Sequence, residues 1–442
     1  VGGFRFAAKI NLLSRESLMK FGLFYELQLP KPYDKDTWDP TDEHRIVKEA
    51  LEQIEFADAL GFDYVFEVEH HFLEEYSHSS APEVFLAAAS QRTKNLRLGH
   101  GIVLTPPPFN HPARVAERIA MLDLVSNGRV EFGTGESSSD MELGGFGVDR
   151  AAKKAMWEEA VREIAKMMTD EPYCGFNGEY FKLPARNVIP KPLQKPHPPM
   201  WVAASRRETV MVAARMGLGS LGFAFETPEE AAERVAEYYR LVREECFPIA
   251  QAINPAVAIV STFMCAQTDE EALMKAIFGA PFFAYSLNYY YVDAMTNPHP
   301  PGKKHLWRDF LATPMEEHMR RMDQRAAIPF SAGSSPTQQT GLAAEQEPKS
   351  ETQRALWRAA RRGATIGSPD FIRQSLKKYE DAHLDAMIMV AQCGMVKHED
   401  IMTALELFGK EVMPEFKDRH AKHLEWRKEQ LKGVDYPIHS SI

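Results

Sequence analysis

Apolar positions along this chain fall into two alternating rhythms. Short apolar runs, such as 21–27, 62–68 ("FDYVFEV") and 96–104 ("LRLGHGIVL"), are followed by longer stretches with helical spacing. Over 41–60, Ile46, Val47, Ala50, Leu51, Ile54, Ala57 and Leu60 recur every three or four residues, one face of a helix. Gly61 ends it, because glycine accepts the left-handed conformation that closes helices. The same grammar predicts helices over 81–92, 111–125, about 151–168, 206–216, 228–245, from about 269, 369–382 and 399–412. The intervening strands fall at 129–132, 199–204, 218–223, 256–265 and 385–391.

Eight strand-then-helix units result, with strands that are apolar almost throughout. Such strands are buried on both faces, which parallel sheets require. The expected architecture is therefore α/β, a (β/α)8 TIM barrel; an open doubly wound sheet is the rival. Two segments break the rhythm. The Pro- and Gly-rich stretch 173–198 reads as a long ordered loop or a hairpin. Residues 280–365 form a long insertion before the eighth unit. It starts with the aromatics Phe282, Phe283, Tyr285, Tyr289, Tyr290 and Tyr291 and ends in a polar, low-complexity tract. A lid, or a surface excursion or oligomer contact, would fit it. Residues 1–18 precede Met19 and are expected outside the fold, 19–420 form one barrel, and 421–442 are a C-terminal tail.

Composition narrows the function classes. The chain has 442 residues, 44% hydrophobic and 26% charged, with a formal charge of −10 and no basic block. Nucleic acid is an unsuitable partner for such a surface. No apolar run reaches the roughly 20 residues of a membrane helix. The four cysteines are scattered without a CxxC pair, which suits a reducing, cytoplasmic compartment and gives no structural zinc site.

In such barrels the chemistry sits at the C-terminal ends of the strands. Unit two offers "FEVEHHFLEEYSHSS" (66–80), with Glu67, Glu69, His70, His71, Glu74, Glu75 and His78 crowded together. Three readings compete for it: a metal site, an acid/base site beside an organic cofactor, and a solvated loop. Adjacent histidines on extended chain point to opposite faces, and no HxH or HExxH supplies further ligands, so no metal is expected. Unit four offers Glu136 and Ser137–Ser139. Unit five offers "AASRRET", where Ser205, Arg206, Arg207 and Thr209 open a helix whose free amides favour an anion. Ser205 and Glu208 would equally make an ordinary capping box. "GLGSLG" (217–222) copies the dinucleotide fingerprint, but it ends a helix and enters a strand, so it reads as a turn.

Several of these stretches together resemble the bacterial luciferase-like flavin-dependent monooxygenases. They are "EHHF" (69–72), "LGHGIVLTPPPFNHPARVAERIAMLDLVSNGRVEFGTG" (98–135), "WVAAS" (201–205) and "LELFGKEVMP" (405–414). The resemblance covers roughly two-thirds of the chain and leaves out the insertion. It implies a barrel that binds reduced FMN at its C-terminal rim, usually as a homodimer. A separate NAD(P)H:flavin reductase would supply the flavin, and O2 would form a flavin C4a-peroxide that oxygenates a small organic substrate, here apolar or aromatic. It further implies His70 as the catalytic histidine, with Glu69 beside it. The flavin contacts would be His100, Gly101, Glu136, Ser137, Ser138, Ala204, Ser205, Arg206 and Thr209, with a non-proline cis peptide at His100–Gly101. This chain departs from luciferases at Gly135 and Glu136, where they carry a cysteine and an arginine; Arg206 or Arg207 would have to compensate. A deazaflavin-dependent oxidoreductase and a non-catalytic flavin-binding protein are the alternatives.

Overall fold

The computed structural model describes residues 19–204, 206–223, 227–293, 304–313, 365–417 and 419–439; the segment 1–18 lies outside the described residues. Eight strands pair in parallel, in chain order: β1 (Lys20–Tyr25), β2 (Tyr64–Glu67), β3 (Arg97–His100), β4 (Val130–Gly135), β5 (Met200–Ala203), β6 (Gly219–Phe223), β7 (Val257–Cys265) and β8 (Ala386–Val390). β8 returns to β1, with Lys20 opposite Ala386, so the sheet closes and the open-sheet rival falls. The outer helices are α1 (Asp42–Leu60), α2 (Pro82–Arg92), α3 (Pro112–Val125), α4 (Lys153–Thr169), α5 (Arg207–Met216), α6 (Pro228–Glu245), α7 (Pro369–Asp381) and α8 (His398–Leu407). Local chemistry fixes their ends. Gly61 closes α1 at φ 91°, and Thr227 and Glu230 form a reciprocal capping box on α6.

Strand alternation sorts the wall into two faces. Phe21, Leu23, Val65, Leu98, Val130 and Phe132 pack outward in the shell shared with the helices. Phe24, Tyr64, Phe66, Trp201, Leu221 and Ile388 fill the interior. Interior aromatics this large need small neighbours. A Cβ on Gly99 would stand 2.2 Å from the Phe66 ring, and one on Gly219 would stand 2.5 Å from Trp201. Each buried aromatic or aliphatic side chain contributes about 1.5–3 kcal/mol relative to exposure.

Several elements differ from the sequence expectation. The run 96–104 is broken after His100, and Val103–Leu104 pairs separately with Thr134 and Gly135. There the Gly101 N–H bonds the Glu67 carbonyl at 2.7 Å. Residues 173–198 contain an antiparallel hairpin, Tyr173–Asn177 with Lys182–Arg186. Thr365–Gly367 adds a short strand beside the end of β7. The three cis peptide bonds among the described residues all precede proline, so His100–Gly101 is trans, against the expectation. Helix His420–Gln430, in the segment expected as a tail, carries buried His423 and Arg427. They bond Asp385 (2.9 Å) and the Pro255 carbonyl (2.9 Å) at the N-terminal end of the barrel.

The described parts of the insertion are helix Ala280–Asn288, a π-helical turn Tyr289–Asp293 and helix Leu306–Ala312. Phe282, Phe283, Leu287, Tyr289, Tyr290, Leu306, Trp307 and Phe310 join the apolar cluster of the barrel interior. Polar bonds seat them over the C-terminal mouth. The Gln28 amide donates to Ser286 Oγ at 3.0 Å. Glu75 accepts the N–H groups of Leu306 and Trp307, and Lys31 Nζ bonds the Lys304 carbonyl at 2.9 Å.

Candidate active site

The chain leaves β2 at Glu67 and turns across the mouth, where Ser79 accepts the His70 N–H through its carbonyl at 2.8 Å. That bond sets His70 among groups from three other elements. Its Nδ1 lies 2.9 Å from Glu142 Oε1, on the short helix Asp140–Gly145 after β4. Its Nε2 faces Glu26 Oε2, just past β1, across 3.5 Å. The Tyr291 hydroxyl, from the insertion, lies 3.3 Å from both ring nitrogens. Tyr76, in the same loop as His70, donates to Glu26 Oε1 at 2.9 Å.

Glu142 is the most heavily bonded member. Besides His70 it accepts the His71 N–H at 3.0 Å and the Ser137 hydroxyl at 2.6 Å. Burial opposes its charge, but His70 and these donors hold its carboxyl below the usual range. Burial likewise opposes a charged imidazole at His70, yet Glu142 and Glu26 outweigh it and push His70 up to about 9. His70 is thus largely an imidazolium at neutral pH. A free imidazole titrates near about 6.5; two carboxyl groups brought in from the end of β1 and the helix after β4 make the difference.

The other expected site residues are placed as follows. Glu69 is buried and accepts the Leu104 N–H (2.8 Å), the Asn110 amide (2.8 Å) and His71 Nε2 (3.1 Å), tying the rims of β2 and β3. The two histidines diverge, as adjacent residues on extended chain must. Among the described residues no group of three or more His, Cys, Asp or Glu is arranged to hold a metal ion. His100 shares its strand face with outward-packed Leu98 and sits beside Phe132; burial pushes its imidazole down to about 4. Any contact of His100 with a ligand in the mouth would have to be main-chain. A Cβ on Gly101 would stand 2.8 Å from the Phe24 ring.

The loop after β4 carries Glu136, which pairs with Lys153 Nζ at 2.7 Å; the same ammonium bonds the Ser137 carbonyl at 2.7 Å. Ser137, at φ 60°, connects this loop to Glu142, while Ser138 is exposed and its carbonyl takes Arg150. At α5, Ser205 lies outside the described residues. Ala204 ties β5 to β6 through Leu221 at 2.8 Å. Arg206, not Ser205, holds the N-cap position, exposed and without a side-chain capping bond. Arg207 is taken by Glu237 at 2.5 Å, so Arg206 rather than Arg207 is placed to meet an anion. Thr209 is half-buried in the first turn.

Sequence reasoning missed Glu26 and Glu142. Both were within reach of the rule that strand ends carry the chemistry: Glu26 is the lone acid in "FYELQLP", and Glu142 closes "SSSDME".

A closed parallel barrel with an acid–imidazole–acid group at its C-terminal mouth, roofed by aromatics, defines a class of barrel enzymes that work in a secluded rim site. Within that class the chain belongs to the luciferase-like monooxygenase family, whose model matches residues 19–386. It is 26% identical over 262 residues to the oxygenase component of the flavin-dependent trigonelline monooxygenase of Acinetobacter baylyi, covering 58% of this chain and 68% of that protein. It is 25% identical to the alkanal monooxygenase alpha chain of Photorhabdus laumondii, over 69% of this chain and 82% of that one. For the uncharacterized protein y4wF of Sinorhizobium fredii, 36% identical over 42% of this chain, the match spans only about half of the relative, 52% of its length. Among solved structures, the FMN complex of the oxygenating constituent of 3,6-diketocamphane monooxygenase from Pseudomonas putida shares the fold. Its TM-score is 0.63 at 19% identity, over 90% of this chain and 99% of that one. An F420-dependent secondary alcohol dehydrogenase does so too, with a TM-score of 0.58 at 16% identity over 89% and 98%.

Proposed function

We propose that this chain is the oxygenase of a two-component system. It takes reduced FMN from a separate NAD(P)H:flavin reductase and uses O2 to oxygenate a small, apolar or aromatic organic substrate. The observation that carries this reading is His70 fixed between the buried carboxyl groups of Glu142 and Glu26 under an aromatic roof.

The residues present suit the cofactor at both ends. At the phosphate end, no side chain among the described residues caps the α5 N-terminus, and Arg206 is exposed beside it. At the ring end, the His70 imidazolium suits the negative charge that gathers when an electron-rich ring meets oxygen. Reduced FMN would supply the electrons for O2. The chain's own residues bind, orient, exclude water and hold a proton at His70 Nε2. Phe282, Phe283, Tyr290 and Trp307 form the water-excluding cover. Glu142 acts through His70 as a positioning residue.

Val84 on α2 and Met121 and Leu124 on α3 leave apolar side chains exposed on neighbouring helices, and we assign this face to a homodimer contact. The four cysteines are all free, which suits the cytoplasm. No described helix is long and apolar enough to cross a membrane. F420-dependent enzymes share the fold, so hydride transfer from a deazaflavin is the second reading. Feeding the protein reductase-generated FMN hydroquinone under 18O2 with a panel of aromatic and terpenoid compounds tests the proposal. One 18O atom in a product supports it; oxidation with no label in any product, or turnover only with reduced F420, opposes it.

A further inference from the structure

The groups around His70 are unequal, and the inequality points to a second proton-holding residue. Glu142 receives three donors. Glu26, equally buried, accepts the Tyr76 hydroxyl at Oε1, and the Ser77 hydroxyl lies beside its carboxyl while bonding its main-chain carbonyl at 2.7 Å. Its Oε2 has no hydrogen bond among the described residues and faces His70 Nε2 across 3.5 Å. A buried carboxylate oxygen without a donor is costly. The groups facing Glu26 are His70 and Tyr76 from the loop, Glu67 at the end of β2, Glu142 from the helix after β4, and Tyr291 from the insertion. Glu142, held ionised, resists a further negative charge at Glu26, burial keeps Glu67 neutral, and the His70 imidazolium favours the charge.

We infer that Glu26 is the proton reserve of the site, holding at Oε2 the proton that restores His70 after His70 has given up its own. The inference rests on the reading of His70 as the proton-holding group. In the step, the Glu26 Oε2–H bond breaks and a bond from that proton to His70 Nε2 forms. The electron pair stays on Oε2, leaving a carboxylate opposite a restored imidazolium, and solvent later reprotonates Glu26. The 3.5 Å gap has to close to the roughly 2.8 Å of a charge-assisted bond, as resting-state catalytic contacts commonly do. Burial pushes Glu26 up to about 7, with His70 and Tyr76 pulling it back, while Glu142 stays ionised. Paired carboxyls with environments this different divide the work of fixed charge and exchangeable proton.

A purely structural Glu26 would serve only to hold Tyr76 and its loop. Glutamine keeps that role, because its amide oxygen still accepts the Tyr76 hydroxyl, and loses the proton. The test is a pH titration of the His70 ring nitrogens by NMR on the full chain without flavin, assigned with His70→Gln. In the wild type we expect two inflections, near 7 and near 9. In Glu26→Gln the lower one should vanish and the upper should fall by about one pH unit or more, since an anion is lost. Glu26→Asp should keep a lower inflection. A single inflection in the wild type, unchanged in Glu26→Gln, overturns the inference. Should Glu26→Gln fail to fold, the carboxylic C=O infrared band of the wild type decides. Its loss on passing through about pH 7 supports the reserve, and no change between about pH 5 and 9 refutes it. None of these readouts needs a cofactor, so failure to bind reduced FMN would sink the oxygenase reading and leave this result standing.

Discussion

Glu142 Oε1 lies 2.9 Å from His70 Nδ1 and also accepts the His71 N–H at 3.0 Å, so one carboxylate anchors the "EHHF" turn and charges its first histidine. The residues are 72 positions apart in sequence. The barrel joins them by placing the ends of β2 and β4 on one rim.

Removing that carboxylate's charge should release His70. In Glu142→Gln, its value should drop from about 9 towards the ordinary 6.5. The variant should also lose about 1–3 kcal/mol, because the His71 and Ser137 donors meet a poorer acceptor. NMR titration and urea unfolding check the two parts. An unmoved His70 would mean that Glu142 does not set its charge.

The pair also shapes stability against pH. His70 is raised when folded, so its contribution is full below about 6.5 and fades as pH rises through about 9. Glu142 is lowered, so its contribution is present above the ordinary carboxylate range near 4.3 and fades as pH falls through its depressed value. The wild type should therefore gain most over His70→Gln between about pH 4.3 and 6.5. Melting curves from about pH 3 to 9 should show the gap narrowing on both sides of that window; a constant gap would contradict the linkage.

His70→Ala should leave binding of reduced FMN nearly intact and cut oxygenation by about 10²–10⁴-fold, the usual worth of a positioned acid. Oxygen consumption should shift from product to hydrogen peroxide. Equal product yield in the mutant would remove His70 from the mechanism.

At the other end of the cofactor, Arg206→Ala should weaken FMN by roughly tenfold or more and riboflavin hardly at all, since only FMN offers a phosphate to a charged donor. Equal losses for both would move the phosphate away from α5.

Much of this was legible in the sequence, for physical reasons. Period-3.6 and continuous apolar runs encode the eight units directly, because a strand buried on both faces must be apolar throughout. The break after His100 was not legible: it depends on Gly101 bonding Glu67 across to β2. "EHHF" showed where the chemistry lies, but not which acids serve it. Glu69, the nearest in sequence, turned to Leu104 and Asn110, while Glu26 and Glu142 reached His70 only through closure of the barrel. The aromatic run of the insertion announced an apolar surface. Its seat on Gln28, Glu75 and Lys31 required the folded mouth.

Anaerobic calorimetry with reduced FMN, set against reduced F420 and riboflavin, tests the central claim most directly. Expected is saturable binding of reduced FMN at one per chain, weaker binding of reduced riboflavin and little heat from F420. No heat with reduced FMN, or tighter binding of F420, would contradict an FMN-dependent oxygenase at this rim.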